Sequence, residues 1–433
     1  MTSWILGVLV AATPVELSLS EAQRLAAARS PALAARRAQQ EGAEHRVGAS
    51  TARLLPKLSL GVRYSRLSYV APGEITLPFS LPNQPAPEPI RLGDAIENVF
   101  ASSVVLEQPV FTGLSLLNQR EAAQHTNDAA SHLVEQDQQD LALRVEESWF
   151  GLLRARQLLS VTEQSERVLG AHLARLERLA EAGSTTGLEV TRTRARLASV
   201  RVQTLQAKAA EALAQLSLII TLGLEPDAVL ELREPLDDAP PADDEQRRPE
   251  LLAARAQVAA KQAQARAAAG GLWPQIALRA SVQLDSPNSR YFPLRNQLNP
   301  SWEASAILSW TAWDWGATWH GLRAAQLDAQ AARHGVEQLE DAVRLEVARR
   351  RLDVTTAAAR TVATREAVDA ADQSFQRAQR QCEEGQLACI IALDAEAELS
   401  RLRADLVQAR IEQRLSAAQL RRALGTLTPR GTP

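Results

Sequence analysis

Aromatic residues make up only 4% of this 433-residue chain, cysteine occurs twice, and no stretch approaches the ~20 consecutive apolar residues that a membrane-spanning helix needs. Any entry into a membrane would therefore have to be made without an apolar helix. Charge of one sign is also missing: acidic and basic residues are interspersed and sum to −3, with no basic stripe, which excludes a nucleic-acid surface. Cys382 and Cys389 have no further Cys or His at ligand spacing, so no metal centre is expected. The six histidines are scattered, and His125 and His132, which share a helix face, sit on a polar one. There is no HExxH, no phosphate-cradling glycine loop and no nucleophile elbow. Neither catalysis nor a cofactor is expected.

The most informative absence is that of proline. All 21 prolines lie outside residues 110–225 and 301–428. Proline removes a backbone donor and clashes with the preceding turn, so runs this long, rich in Ala, Leu, Arg, Gln and Glu, can be helical almost throughout. The two runs also align with each other at an offset of 202. Val134-Glu135-Gln136 recurs as Val336-Glu337-Gln338, Gly183 as Gly385, and Leu222-Gly223 as Leu424-Gly425. The chain reads as a tandem duplication, with a first structural repeat over 15–225, a linker over 226–248 and a second repeat over 249–433. Residues 1–14 hold a short apolar run, Trp4 to Ala12, ending in small residues as a secretory signal does.

A helical pattern runs from about Leu19 to Leu55, entered through Ser18 or Ser20 with Glu21 nearby, and its repeat partner starts at Pro249. Each ends at a proline followed by alternation: Leu58, Leu60, Val62 and Tyr64 in one half, and Ile276, Leu278, Ala280, Val282 and Leu284 in the other. Period two predicts strands with one apolar face. Each half then has a loop, 71–92 with six prolines and 285–300, and a returning strand, Phe100 to Leu106 and Trp302 to Trp310. A helix of about 70 residues should follow in each half, then a break at Gly183-Ser-Thr-Thr-Gly187 or at Gly385, then a helix of about 36. The expected fold is mainly α with a small β part: two repeats of long antiparallel helices with two β-hairpins. The helices must bury a stripe, here Ala with Leu141, Val145, Leu152, Leu158, Leu169, Leu173 and Leu176.

Four strands cannot close a barrel, and hydrocarbon does not tolerate open sheet edges. If the strands lie in a membrane, several chains must pool them, and three chains giving 12 strands is the smallest comfortable solution. Five of the eight tryptophans, Trp302, Trp310, Trp313, Trp315 and Trp319, fall where the last strand becomes the long helix. Two readings stay open for them: a membrane-interface aromatic belt, or an aromatic core at a strand-to-helix corner. Three readings of the whole are carried: an export duct, a periplasmic adaptor with a long helical hairpin, and a coiled-coil scaffold. Two helical halves argue against the adaptor. The paired alternating strands are left unexplained by the scaffold.

Order, spacing and duplication together carry a resemblance. The segments ending in Leu55-Pro56-Lys-Leu and Leu272-Trp273-Pro274-Gln-Ile, the passages Leu106-Glu-Gln-Pro-Val-Phe111-Thr-Gly113 and Leu308-Ser-Trp-Thr-Ala-Trp313-Asp-Trp315-Gly316, and Glu181-Ala-Gly183 followed by Leu188-Glu189-Val190 resemble the TolC family of outer-membrane efflux channels. The resemblance covers essentially the whole chain after residue 14. It implies a homotrimer forming a 12-stranded transmembrane β-barrel in the outer membrane, surrounded by its lipid, continued by an α-helical periplasmic tunnel. It implies as partners a periplasmic membrane-fusion adaptor and an inner-membrane pump of RND, ABC or MFS type. Gly183, Gly187 and Gly385 would mark the periplasmic tips that dock the adaptor. Asp394, with Glu189 in the first half, would line the pore entrance, while Ile391 takes the place of a second acidic position. Cys382 and Cys389 flank the second tip; a bridge between its helices suits an oxidising periplasm, and two thiols a reducing compartment.

Overall fold

The computed structural model describes residues 15–76, 89–183, 185–233, 248–384, 386 and 388–427. The expected signal segment, most of the proline-rich loop, much of the linker, and Gly385 lie outside the described residues. The chain begins with β1 (Val15–Leu17), α1 (Leu19–Arg29) and α2 (Pro31–Ala52), followed by β2 (Lys57–Arg66), β3 (Glu74–Ile75), β4 (Ile90–Arg91) and β5 (Asn98–Phe111). Next come α3 (Ser115–Glu181), α4 (Gly187–Leu222), β6 (Leu230–Leu232) and α5 (Pro249–Ala269). The second half ends with β7 (Gln275–Ser286), β8 (Asn299–Ser309), α6 (Ala317–Glu383) and α7 (Cys389–Leu424). The long helices have identical lengths in the two halves, 67 residues for α3 and α6 and 36 for α4 and α7.

The first helical stretch, read from sequence as one helix, is two. Of the two candidate caps, Ser18 and Ser20, it is Ser18 that caps α1, in a capping box with Glu21. Ser30, held at φ −67° and ψ 115° because the ring of Pro31 disfavours helical geometry in the residue before it, then ends α1. Pro31 restarts the helix at its first position, where its missing N–H is not needed, and Pro249 does the same for α5.

Two compact units divide the chain, one from Met1–Gln40, Ala130–Ala253 and Val336–Pro433, the other from Glu41–Ala129 and Ala254–Gly335. Each takes segments from both halves of the sequence, because α2, α3, α5 and α6 each run through both units.

In the first unit, β1 pairs in parallel with β6, tying Val15–Leu17 to the start of the linker that follows α4. This pair was not foreseen: three residues are too few to show a period. Around it Leu17, Leu33, Val145, Trp149, Leu152, Leu218, Leu222 and Leu230 form the main core. Burying side chains of this size stabilises by roughly 1.5–3 kcal/mol each. A separate cluster of Leu169, Leu197, Val200 and Leu393 joins α3, α4 and α7. Arg248, only 3% exposed, closes the linker: its Nε donates to the Ala423 carbonyl at 2.6 Å and its Nη2 pairs with Glu346 at 2.6 Å.

The second unit contains an antiparallel sheet in the order β2-β5-β7-β8. The hairpins β2/β5 and β7/β8 are those the sequence suggests, and β5 pairing with β7 fuses them. A bulge at Pro109–Phe111 falls where proline cannot donate to the ladder. At the following corner Gly113 adopts φ +58°, and a Cβ there would lie 2.5 Å from the Gly270 carbonyl oxygen, so only glycine lets α3 start against the end of α5.

Candidate functional site

Two regions carry the residues singled out by sequence, one in each unit. In the sheet, register places Leu58, Leu60, Val62 and Tyr64 of β2 on the same face as Val104 and Leu106 of β5, Leu278, Val282 and Leu284 of β7, and Trp302 and Leu308 of β8. This face is apolar and uncovered: Leu60 is 78% exposed, Val62 74% and Trp302 73%. The opposite face alternates with it and carries Ser59, Arg63, Ser103, Arg279, Ser281, Gln283, Glu303 and Ser305. An exposed apolar patch this continuous marks a surface made for a partner or a membrane. Among the described residues neither β2 nor β8 has a strand on its outer edge.

Beyond β8, Trp310, Trp313, Trp315 and Trp319 are all exposed, Trp315 at 87%, so they are not an aromatic core of this chain. Trp313 and Trp315 meet edge to face at 5.8 Å. Asp314 builds the corner between them by accepting from the Gly316 and Thr318 amides at 3.0 and 2.8 Å, which starts α6.

In the other unit, α3 ends at Glu181, Gly183 just beyond it adopts the left-handed region at φ +73°, and α4 starts at Gly187 after Thr186. Glu189 sits in the first turn of α4, where its charge suits the helix N-terminus, and accepts from Thr185 Oγ1 at 2.5 Å. Asp394 on α7 is 69% exposed, and Arg196 of α4 approaches it at 3.9 Å, an exposed pair worth little. Both residues line a groove of about 840 Å³ between α3, α4 and α7. Cys382 and Cys389 are joined in a disulfide between the end of α6 and the start of α7.

Sequence reasoning missed Glu396, two residues past Asp394. It is buried and accepts from Ser165 Oγ at 2.7 Å. Burial pushes its carboxyl above the ordinary range, against the opposing pull of Ser165, Arg196 and Arg403. No periodicity distinguishes it from the solvated acids around it. His172 on α3 was likewise passed over; burial, then Arg175, lowers its pKa, and Glu189 works the other way. Among the described residues no helix is long and apolar enough to cross a membrane, and no group of acidic, His or Cys side chains could hold a metal.

The model of the family described as outer membrane efflux protein matches residues 23–224 and 242–426. The chain belongs to this family. This outer membrane efflux protein is thus a channel of the outer membrane extending into the periplasm, with a transport function and no enzymatic one. The adaptor and scaffold readings are set aside by that match. Among solved structures it resembles the outer-membrane channel OprN, at 20% identity with 94% of this chain and 90% of that one covered and a TM-score of 0.77. CusC, described as changing conformation on folding and transmembrane channel formation, matches at 18% identity, 94% and 91% coverage and a TM-score of 0.80. VceC from Vibrio cholerae matches at 19%, with 94% and 96% coverage and a TM-score of 0.79. No curated protein matches the chain.

Proposed function

We propose that three copies of this chain pool their sheets into a 12-stranded barrel in the outer membrane, β8 of one copy pairing with β2 of the next, and that the α-helices form the periplasmic conduit. The observation that carries this is the sheet with one uncovered apolar face, one polar face and two edges that no strand among the described residues pairs. In hydrocarbon each unpaired backbone group costs several kcal/mol, so the edges must meet other copies. The apolar face then meets lipid and the polar face the channel. Trp302, Trp310, Trp313 and Trp315 sit at the membrane–water interface, where indole rings favour one apolar and one wet side.

The chain works as the passive exit duct of a tripartite efflux or type I secretion system. Its partners are a periplasmic membrane-fusion adaptor, docking at the tips around Gly183, Gly187 and Gly385, and an inner-membrane pump of RND, ABC or MFS type that supplies the energy. Asp394 and Glu189 line the entrance. The equal helix lengths and the two separate family matches support reading 15–225 and 249–433 as tandem structural repeats joined through 226–248. Mass measurement in detergent, with heat-modifiable gel migration, tests the assembly. Three chains per particle are expected, and a stable monomer with intact strand content would sink it.

A further inference from the structure

The two helical hairpins, alike in length, differ by one covalent bond. A disulfide joins Cys382, in the last turn of α6, to Cys389, the first residue of α7. At the 202-residue offset the first hairpin carries Ala180 and Gly187, so α3 and α4 have no equivalent bond. The two sulfurs are also unequally placed. Cys382 is buried with Ala378 and Ala392, whereas Cys389 is half-buried. Cys382 lines a cavity of about 270 Å³ between α3, α6 and α7, together with His172 and Arg175. Arg175 pairs with Glu383 at 3.4 Å, and the Nε2 of His172 is buried with no hydrogen-bond partner among the described residues.

We propose that Cys382–Cys389 is a reversible redox site, a brace on the second hairpin that thiols open by attacking Cys389. The thiolate of a small dithiol bonds to the more accessible Cys389 sulfur. The protein disulfide breaks and its electron pair leaves on Cys382 as a thiolate, into the cavity where Arg175 and a ring N–H of His172 stabilise it. The second thiol of the reagent, deprotonated, attacks the mixed disulfide and Cys389 is released. The protein gains two electrons and two protons, and the dithiol leaves as its own cyclic disulfide. Joining residues seven apart restricts the opened ensemble of the hairpin end on the order of 50-fold, so reduction should raise local opening by about that factor. The consequence for adaptor docking rests on the proposed function of this end; the redox chemistry does not.

Amide exchange of the intact protein in detergent, with and without dithiothreitol, tests the brace, with a Cys382→Ser, Cys389→Ser double variant as the permanently open reference. The reduced protein and the double variant should both lose on the order of 50-fold protection at Ile390–Leu393. Glu189–Arg192 of the first hairpin should not change. Equal protection before and after reduction overturns the brace, and a disulfide that stays intact in the folded protein under dithiothreitol overturns the redox site. Under trapping with glutathione, peptide masses should place the adduct on Cys389, and an adduct on Cys382 overturns the direction of attack. Loss of protection with adaptor binding unchanged upholds the brace and counts against the docking assignment.

Discussion

Val62 gives the sharpest separation between a lipid-facing sheet and a water-facing one. It lies near the middle of the ten-residue β2, on the apolar face and opposite Ser102, and is 74% exposed. Ten residues at ~3.3 Å each, tilted by ~40°, rise about 25 Å, the height of the apolar band of a membrane barrel, so Val62 sits close to the midplane. A lysine there should cost about 2–4 kcal/mol per copy, and about three times that in a barrel of three. On a water-facing sheet the same change is an ordinary surface substitution, within about 0.5 kcal/mol of neutral. Ser59→Lys, on the opposite face, is the control and should fold as the wild type does. The assay is urea unfolding in lipid vesicles, with the fraction of heat-modifiable species as a second measure. If Val62→Lys and Ser59→Lys unfold at the same urea concentration, the apolar face does not meet lipid.

Trp149 is fully buried in the main core, so Trp149→Ala should destabilise by about 3–5 kcal/mol in urea unfolding, and a loss below 1 kcal/mol would mean that the core is mispacked as described. Glu396 has its folded pKa raised by burial, so the folded state binds the proton more tightly than the unfolded one; stability is then full below the ordinary carboxylate value of 4.5 and falls as pH rises toward the folded value. Glu396→Gln should remove that fall, seen as Tm curves that diverge above pH 4.5 in favour of the variant, and parallel curves would refute the assignment. If Asp394 lines the entrance of a trimer as proposed, Asp394→Ala should reduce block by multivalent cations in single-channel recordings at low salt, because three carboxylates near the axis would raise the local cation concentration. Gly183→Val, at φ +73°, should instead strain the turn by about 1–2 kcal/mol and weaken adaptor coupling without changing that block.

Much of the architecture is written in local sequence. Proline-free runs, a glycine at 183 and alternation after Pro56 and Pro274 specify helix, break and strand because each depends on neighbours within one turn or one pleat. The same locality located the tryptophans where the last strand becomes the long helix, and it narrowed the first cap to Ser18 or Ser20, of which the structure uses Ser18; Asp394 was singled out by the resemblance and not by any local pattern. It erred at Ser30, where one proline outweighed an otherwise continuous helical pattern.

What the sequence by itself determined was therefore the order and lengths of the four long helices after the hairpins, the two hairpins themselves, and which face of their strands is apolar. Only the tertiary structure decided that β5 joins β7, that β1 reaches β6, that Glu396 is buried against Ser165 while Asp394 stays exposed, and that Cys382 and Cys389 are bonded. The disulfide apart, which spans seven residues, these are contacts between residues more than a hundred positions apart, fixed by how helices and strands pack together, and no short-range period in the sequence records them.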